Sequence, residues 1–162
     1  MAKFSQAVLL LLAALCIFTV ASAADFKVQG KVYCDTCLVG FETRVTEYIK
    51  GANVTLECRD REGGHLTYTV DGVTDENGVY TISADGEHEE EVCEVVLKES
   101  PRSDCNKKFL GRTCGRVAIT KNNGILSPVR FVNSLGFLIN APITGCAQVI
   151  TELELTPEDI MI

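Results

Sequence analysis

Apolar and polar residues alternate with a period of two along much of the chain. In residues 53–58, for example, Val54, Leu56 and Cys58 alternate with Thr55 and Glu57. Because successive side chains of a β-strand point to opposite faces, this pattern is typical of a strand with one buried face. The same pattern predicts seven strands, at residues 27–34, 53–58, 65–74, 79–84, 91–98, 116–120 and 129–132.

Turn signals separate these runs. Glycine supplies the positive φ angle that tight turns require, and it occurs between the runs in Gly63-Gly64, Asn77-Gly78, Asp85-Gly86 and Asn123-Gly124. Short strands with regular turns predict an all-β fold, either a β-sandwich or a small barrel. Residues 41–49 fit a helix face as well as a strand, and we interpret them as extended.

The first residues have the pattern of a secretory signal peptide. Lys3 supplies a positive charge, apolar residues fill positions 7–20, and Ala21-Ser22-Ala23 provides a cleavage site for residues 1–23. The alternative, a membrane anchor, is disfavoured because the apolar run is too short to cross about 30 Å of hydrocarbon. The sequence therefore predicts a secreted protein with one β domain at residues 24–162.

The charge balance bears on possible partners. The chain has 15 basic and 22 acidic residues and a net charge of −7. Cleavage would remove Lys3 and leave about −8. Since phosphate binding needs a basic surface, this balance argues against a nucleic-acid partner.

The cysteines are best interpreted as disulfides. Of the eight, Cys16 falls in the predicted signal peptide, and seven remain: Cys34, Cys37, Cys58, Cys93, Cys105, Cys114 and Cys146. In an oxidising compartment most should pair, and an odd number leaves at least one thiol over.

The CxxC pair Cys34 and Cys37 raises three alternatives: a metal site, a redox pair, or two disulfides to distant partners. Zinc would need a second ligand pair, but His65 and His88 are far apart in the sequence. A redox pair should open a helix after a strand, and no such helix is indicated here. We therefore favour two disulfides to distant partners.

Residues 29–37 read QGKVYCDTC. This segment resembles the signature of the pollen Ole e I-like allergen family, which are secreted plant proteins. Further short matches follow in order: Gly51-Ala52, Thr74-Asp75, Val92-Cys93-Glu94, Asp104-Cys105, Leu135-Gly136-Phe137 and Gly145-Cys146-Ala147. A looser resemblance, at residues 30–32, 49–56 and 74–82, is to transthyretin-like modules and implies a seven-stranded Greek-key sandwich.

The family resemblance also implies a disulfide pairing. It would join Cys34 to Cys105, Cys37 to Cys146 and Cys58 to Cys93, and leave Cys114 outside the framework. The sequence departs from the family at Leu38, where an arginine is usual, and at Ile139 and Asn140, where relatives are often basic. These departures make the surface there less cationic.

Two residues outside that framework are candidate sites. Asn53-Val54-Thr55 is an acceptor sequence for N-glycosylation. Cys114 lies between Arg112 and Arg116, which would lower its pKa and make it reactive. The favoured alternative is a buried or silent free thiol, and a third is a bridge between two chains.

The sequence predicts no catalytic, metal or cofactor site. The acidic residues 87–91 are interpreted as a solvated turn, because calcium requires six to eight oxygens arranged in a loop. Neither histidine lies in a recognisable catalytic motif, and neither a phosphate loop nor a dinucleotide fingerprint is present.

The resemblance implies a secreted, non-enzymatic plant protein of the extracellular space, in the apoplast or cell wall. Its partner would be a receptor ectodomain or a cell-wall component, with a role in pollen-tube growth or wall biology and no membrane partner. Three alternatives remain open. A polysaccharide-binding module needs an exposed aromatic platform, yet the chain has no Trp and four Tyr. A protease inhibitor needs a rigid exposed loop, which the sequence does not identify, and a wall hydrolase needs an acid/base pair.

Overall fold

Strands in two sheets form most of the protein. A computed structural model describes residues 25–156; the predicted signal peptide lies outside the described residues. The elements are β1 (Phe26–Asp35), β2 (Glu47–Tyr48), β3 (Asn53–Asp60), β4 (Leu66–Val73), β5 (Val79–Ala84), β6 (Glu91–Glu99), β7 (Cys105–Lys108), β8 (Cys114–Val117), β9 (Val129–Phe131), β10 (Leu135–Ile139) and the helix α1 (Cys146–Glu152).

The predicted all-β class is confirmed, but the count of seven strands is not, because the described residues form ten. The strands β1, β3, β4, β5, β6 and β9 lie where alternation predicted them. The run predicted at residues 116–120 overlaps only the last two residues of β8, and β7, β10 and α1 were not predicted. Residues 41–49 are mostly irregular, with only the short β2 extended.

The first sheet is organised around β1, which changes neighbours along its length. Its first part pairs antiparallel with β5 and parallel with β9. Its second part, from Val32 onward, pairs parallel with β10 and antiparallel with β2. β7 extends the sheet beyond β10. One strand thus links two differently built parts of the molecule.

The second sheet is antiparallel, in the order β4-β3-β6-β8. Its inner face is apolar because the period-two pattern puts Val54, Leu56 and Cys58 of β3 on one side, where all three are buried. Its outer face carries Glu57, which forms ion pairs with Arg59 and Lys98.

The main core lies between the sheets and includes Val28, Tyr80, Ile82 and Leu97. A smaller apolar cluster around Cys37, Val39, Cys146 and Val149 attaches α1 to the end of β1. Within residues 25–156, no helix combines the length and hydropathy that a membrane span requires.

Candidate functional site: the signature cleft

Two disulfides fix the VYCDTC segment, residues 32–37. Cys34 bonds to Cys105 and Cys37 bonds to Cys146, with Cα–Cα distances of 6.0 and 5.3 Å. A third disulfide joins Cys58 to the opposite Cys93 of β6. The pairing is the one that the family resemblance implies. The CxxC cysteines therefore hold neither a metal nor each other, and each ties the end of β1 to a remote part of the chain.

A buried carboxylate shapes the backbone that follows, which we call the signature turn (residues 35–40). Asp35 is 2% exposed. Its Oδ1 accepts a hydrogen bond from the Cys37 amide at 3.1 Å, and its Oδ2 accepts one from the Gly40 amide at 2.5 Å. Hydrogen bonds to a charged acceptor are among the stronger ones in proteins, so Asp35 holds the turn closed.

The departure from the family at Leu38 lies inside this turn. Leu38 has a φ of 57° and is 8% exposed. This left-handed conformation is uncommon for a residue with a side chain. Its side chain packs in the main core, so the position that usually carries an arginine contributes apolar contact here and no surface charge.

A cleft of about 470 Å³ opens beside the signature turn; we call it the signature cleft. It is lined by Tyr33, Phe41, Glu42, Arg112, Val132, Asn133 and Ser134. The Nε of Arg112 donates to the Gly40 carbonyl at 2.7 Å, which joins the wall of the cleft to the turn. Neither Nη group of Arg112 hydrogen-bonds to another described residue, so this guanidinium can pair with a carboxylate brought in by a partner.

Tyr33 is one of the residues that line the signature cleft, and its hydroxyl stays protonated at physiological pH. Burial is the main cause that raises its pKa to about 12, against a smaller opposing effect of Arg112. Its ring packs on Gly136, where a Cβ would lie 2.6 Å from Cζ. Only glycine at position 136 leaves this room for the ring.

The chemistry of the signature cleft suits recognition better than catalysis. Its lining offers one guanidinium, one carboxylate, one amide and two hydroxyls, with Phe41 as an apolar contact. Glycoside hydrolysis commonly needs two carboxyl groups across the scissile bond, and Glu42 is the one carboxylate among the described lining residues. Among its described lining residues, this cleft therefore offers no second carboxyl group to act with Glu42.

A second cluster has the composition of a metal site without its chemistry. Ligand atoms of Cys58, His88, Glu91 and Cys93 lie within 4.8 Å of one another. The two sulfurs are joined in a disulfide, so neither is the thiolate that zinc requires. The His88 ring contacts Glu91 Oε2 through Nδ1 at 2.6 Å and the Asp85 carbonyl through Nε2 at 3.1 Å.

Residues 87–91, interpreted as a solvated turn, include the exposed Glu87, Glu89 and Glu90, with a turn at residues 89–90. Glu87 Oε2 accepts the backbone N–H of Lys121 at 3.0 Å, and Glu89 Oε2 accepts from the Asn122 side chain at 2.5 Å. Two of these carboxylates therefore hold the segment that follows β8.

Cys114 forms no disulfide and is exposed on β8, so of the buried or silent free thiol that was favoured, only the silent form fits its position. The reactive alternative required a lowered pKa, and the pKa of this thiol is raised instead. Partial burial and then the neighbouring Glu94 raise the pKa of Cys114, and the opposing effect of Arg116 is smaller. A raised pKa reduces the thiolate fraction, so the structure favours a silent thiol over a reactive one.

The glycosylation candidate Asn53 is exposed at the start of β3. The Thr55 hydroxyl of the acceptor sequence is turned to Asp71, to which it donates at 2.7 Å. The asparagine is therefore accessible from solvent, and its modification stays a prediction.

Sequence reasoning missed the charged residues that organise the loops. Arg130 is 4% exposed, and Asp35 was read only as part of the signature. The sequence could have predicted that Arg130 is buried. Arg130 and the apolar Val132 are two residues apart, so in a strand their side chains lie on the same, inward face.

Comparison with known proteins settles the family. The family model described as "Pollen protein Ole e 1 like" matches residues 24–154. The chain belongs to this family. It is 48% identical to an Olee1-like protein of Betula pendula over 86% of this chain and 86% of that one. It is 42% identical to the anther-specific protein LAT52 of Solanum lycopersicum, over 92% of this chain and 96% of the relative.

The solved structure of the major plantain pollen allergen Pla l 1 has a similar fold. It superposes with a TM-score of 0.67 at 34% identity and covers 75% of this chain and 98% of the allergen. Pollen-specific relatives in the Ole e 1-like family, together with three disulfides, indicate an extracellular protein.

Proposed function

We propose that this Ole e 1-like protein acts in the apoplast or cell wall as a non-enzymatic binding protein in pollen-tube growth or wall biology. Its partner, a receptor ectodomain or a cell-wall component, docks at the signature cleft. The observation that carries the proposal is Arg112, whose Nε donates to the Gly40 carbonyl and whose two Nη groups form no hydrogen bond with another described residue.

Three features support binding at this place. The disulfides and Asp35 fix the backbone around the signature cleft before any partner arrives, which reduces the entropy lost on binding. Arg112 and Glu42 present opposite charges in the cleft that Phe41 also lines. An arginine beside an aromatic contact is a common composition of binding hot spots.

The test is affinity capture from plant extracellular fluid followed by a direct binding measurement. The disulfide-intact protein, Arg112→Gln and a matched control, Arg61→Gln, are each immobilised. Arg61 lies on the turn between β3 and β4, outside the signature cleft. We expect one partner retained by wild type and by Arg61→Gln, and a loss of about 10-fold or more in affinity for Arg112→Gln.

Two parallel assays separate the alternatives. Turnover of wall polysaccharides by the purified protein would contradict a non-enzymatic role. Selective binding on a glycan array, lost in Arg112→Gln, would assign the partner to the wall component and exclude the receptor. Equal capture by all three proteins would refute the signature cleft as the docking site.

A further inference from the structure

A buried arginine braces the loop that connects β8 to β9, which we call the braced loop (residues 118–128). The Arg130 guanidinium donates to the carbonyls of Ala118 at 3.2 Å and Thr120 at 2.8 Å on one side. On the other side it donates to Ser127 and, at a longer 3.5 Å, to Ile125. Arg130 therefore holds both arms of one loop in a fixed relation.

Further contacts fix the base of the braced loop. The Ile119 carbonyl accepts from the His88 amide at 2.9 Å, and Glu87 and Glu89 accept from Lys121 and Asn122. At the far end, the Pro128 carbonyl accepts from the Lys27 amide of β1 at 3.0 Å. The loop is thus tied to the scaffold at its start, middle and end.

The tip of the braced loop projects apolar side chains into solvent. Leu126 is 100% exposed and Ile125 is 50% exposed. The backbone N–H and C=O of Leu126 hydrogen-bond to no other described residue, and Ile125 and Leu126 lie outside any helix, strand or turn. The Leu126 side chain is not buried and therefore does not stabilise the fold, although the residues around it are held in place.

We propose that the braced loop is a substrate-like inhibitory loop for an endopeptidase with an apolar specificity pocket. Leu126 enters the pocket, and the Leu126–Ser127 peptide bond lies at the catalytic site. This function goes beyond the proposed binding at the signature cleft and uses different residues, so either stands if the other fails.

The geometry suits a protease better than a flat protein surface. A protease cleft takes a single projecting chain, and its specificity is set by one side chain in one pocket. Leu126 supplies that side chain, its unpaired backbone groups can hydrogen-bond to the cleft, and the small Ser127 follows. Holding such a segment in its bound conformation beforehand increases affinity.

Bracing also explains why the loop would inhibit and resist turnover. Cleavage adds one water across the Leu126–Ser127 amide, giving a carboxylate on Leu126 and an amine on Ser127. Because Arg130 holds the Ile125 and Ser127 carbonyls on either side of Leu126, the two new ends stay together in the cleft. The product is then released slowly.

The test measures inhibition of chymotrypsin, whose specificity pocket is an apolar slot, and of trypsin, whose pocket carries an aspartate. We expect the disulfide-intact protein to inhibit chymotrypsin and not trypsin. Leu126→Asp should weaken inhibition on the order of 100-fold. Leu126→Lys should transfer inhibition from chymotrypsin to trypsin. Both substitutions are at a fully exposed side chain, so we expect them to leave folding intact.

A second measurement addresses the bracing. In Arg130→Met the loop should become a substrate, with rapid cleavage between Leu126 and Ser127 detected by mass spectrometry, whereas the wild type stays intact under the same conditions. Absence of chymotrypsin inhibition by the wild type, rapid cleavage of the wild type at this bond, or unchanged inhibition by Leu126→Asp would each overturn the proposal.

Discussion

The signature turn and the braced loop are both irregular segments beside the central strand β1, and each is organised by one buried charge. In the signature turn the Asp35 carboxylate accepts from two backbone amides. In the braced loop the Arg130 guanidinium donates to backbone carbonyls. Buried backbone polar groups need partners, and the molecule meets that requirement with opposite charges in the two places.

The two segments differ in their covalent support. Cys37 lies in the signature turn and bonds to Cys146 of α1, while Cys34 precedes the turn and bonds to Cys105. The braced loop contains no cysteine, and its position depends on hydrogen bonds. We infer that the side-chain anchor is partly redundant in the signature turn and essential in the braced loop, and the substitutions below test this contrast.

Removing the covalent support of the signature turn should have the largest effect. In Cys37→Ala/Cys146→Ala a disulfide across a sequence separation of 109 is lost, which a chain-entropy model values at about 4 kcal/mol. Denaturant unfolding without reductant should show that loss, together with detachment of α1. Peptide mapping controls for the other two disulfides, and a loss below about 1 kcal/mol would refute the covalent argument.

Removing the anchor of the braced loop should come next. Arg130→Met leaves several carbonyls without a donor, at a cost of about 3 kcal/mol, since one unsatisfied buried group costs about 1–3 kcal/mol. Arg130→Lys keeps the charge but not the fork of donors and should recover only part of the loss. The free energy of unfolding of each variant measures these losses. The rate of amide exchange in residues 118–128 should rise in the same variants.

Weakening the anchor of the signature turn should cost less. Asp35→Asn retains one oxygen acceptor but turns an NH₂ toward a backbone N–H, and we expect a loss of about 1 kcal/mol because the disulfides still close the turn. The same substitution in the Cys37→Ala/Cys146→Ala background should cost more. If Asp35→Asn alone costs as much as Arg130→Met, the contrast between the two segments is wrong.

The sequence predicted the second sheet better than the first. Strands β3, β4 and β6 alternate because one face packs on the core and the other meets solvent. β10 reads LGFLI, and four of its five residues are buried. A short continuous apolar run has no period, so pattern alone could not assign it. The helix α1 has only seven residues. It begins at Cys146, directly after Gly145, and this cysteine is bonded to Cys37.

The candidate sites depend on contacts that pattern does not encode. The signature drew attention to Cys34 and Cys37, but Arg112 reaches Gly40 across 72 positions of the chain. In the sequence Arg112 was considered only as a neighbour of Cys114. Residues so far apart meet through sheet register, which is set by the whole fold. The burial of Arg130 was easier to predict, because the alternation within the predicted strand puts its side chain on the inward face.

The smallest effect concerns β8, which carries Cys114 and lies in the chain between Arg112 of the signature cleft and the braced loop. Glu94 of β6 lies opposite Arg116 of β8 in the strand register, and it helps to raise the pKa of Cys114. Glu94→Gln should therefore lower that pKa and speed alkylation by iodoacetamide a few-fold at pH 8, with the midpoint of the pH–rate profile shifted to lower pH. Glu99→Gln, at another exposed residue of β6, should leave the rate unchanged. Arg116→Gln should slow the reaction, because Arg116 favours the thiolate. Equal rates in all variants would mean that burial alone sets the reactivity.

A selective change would make Cys114 a reporter positioned between the signature cleft and the braced loop. Its alkylation rate would then show whether loosening either one disturbs the strand that connects them.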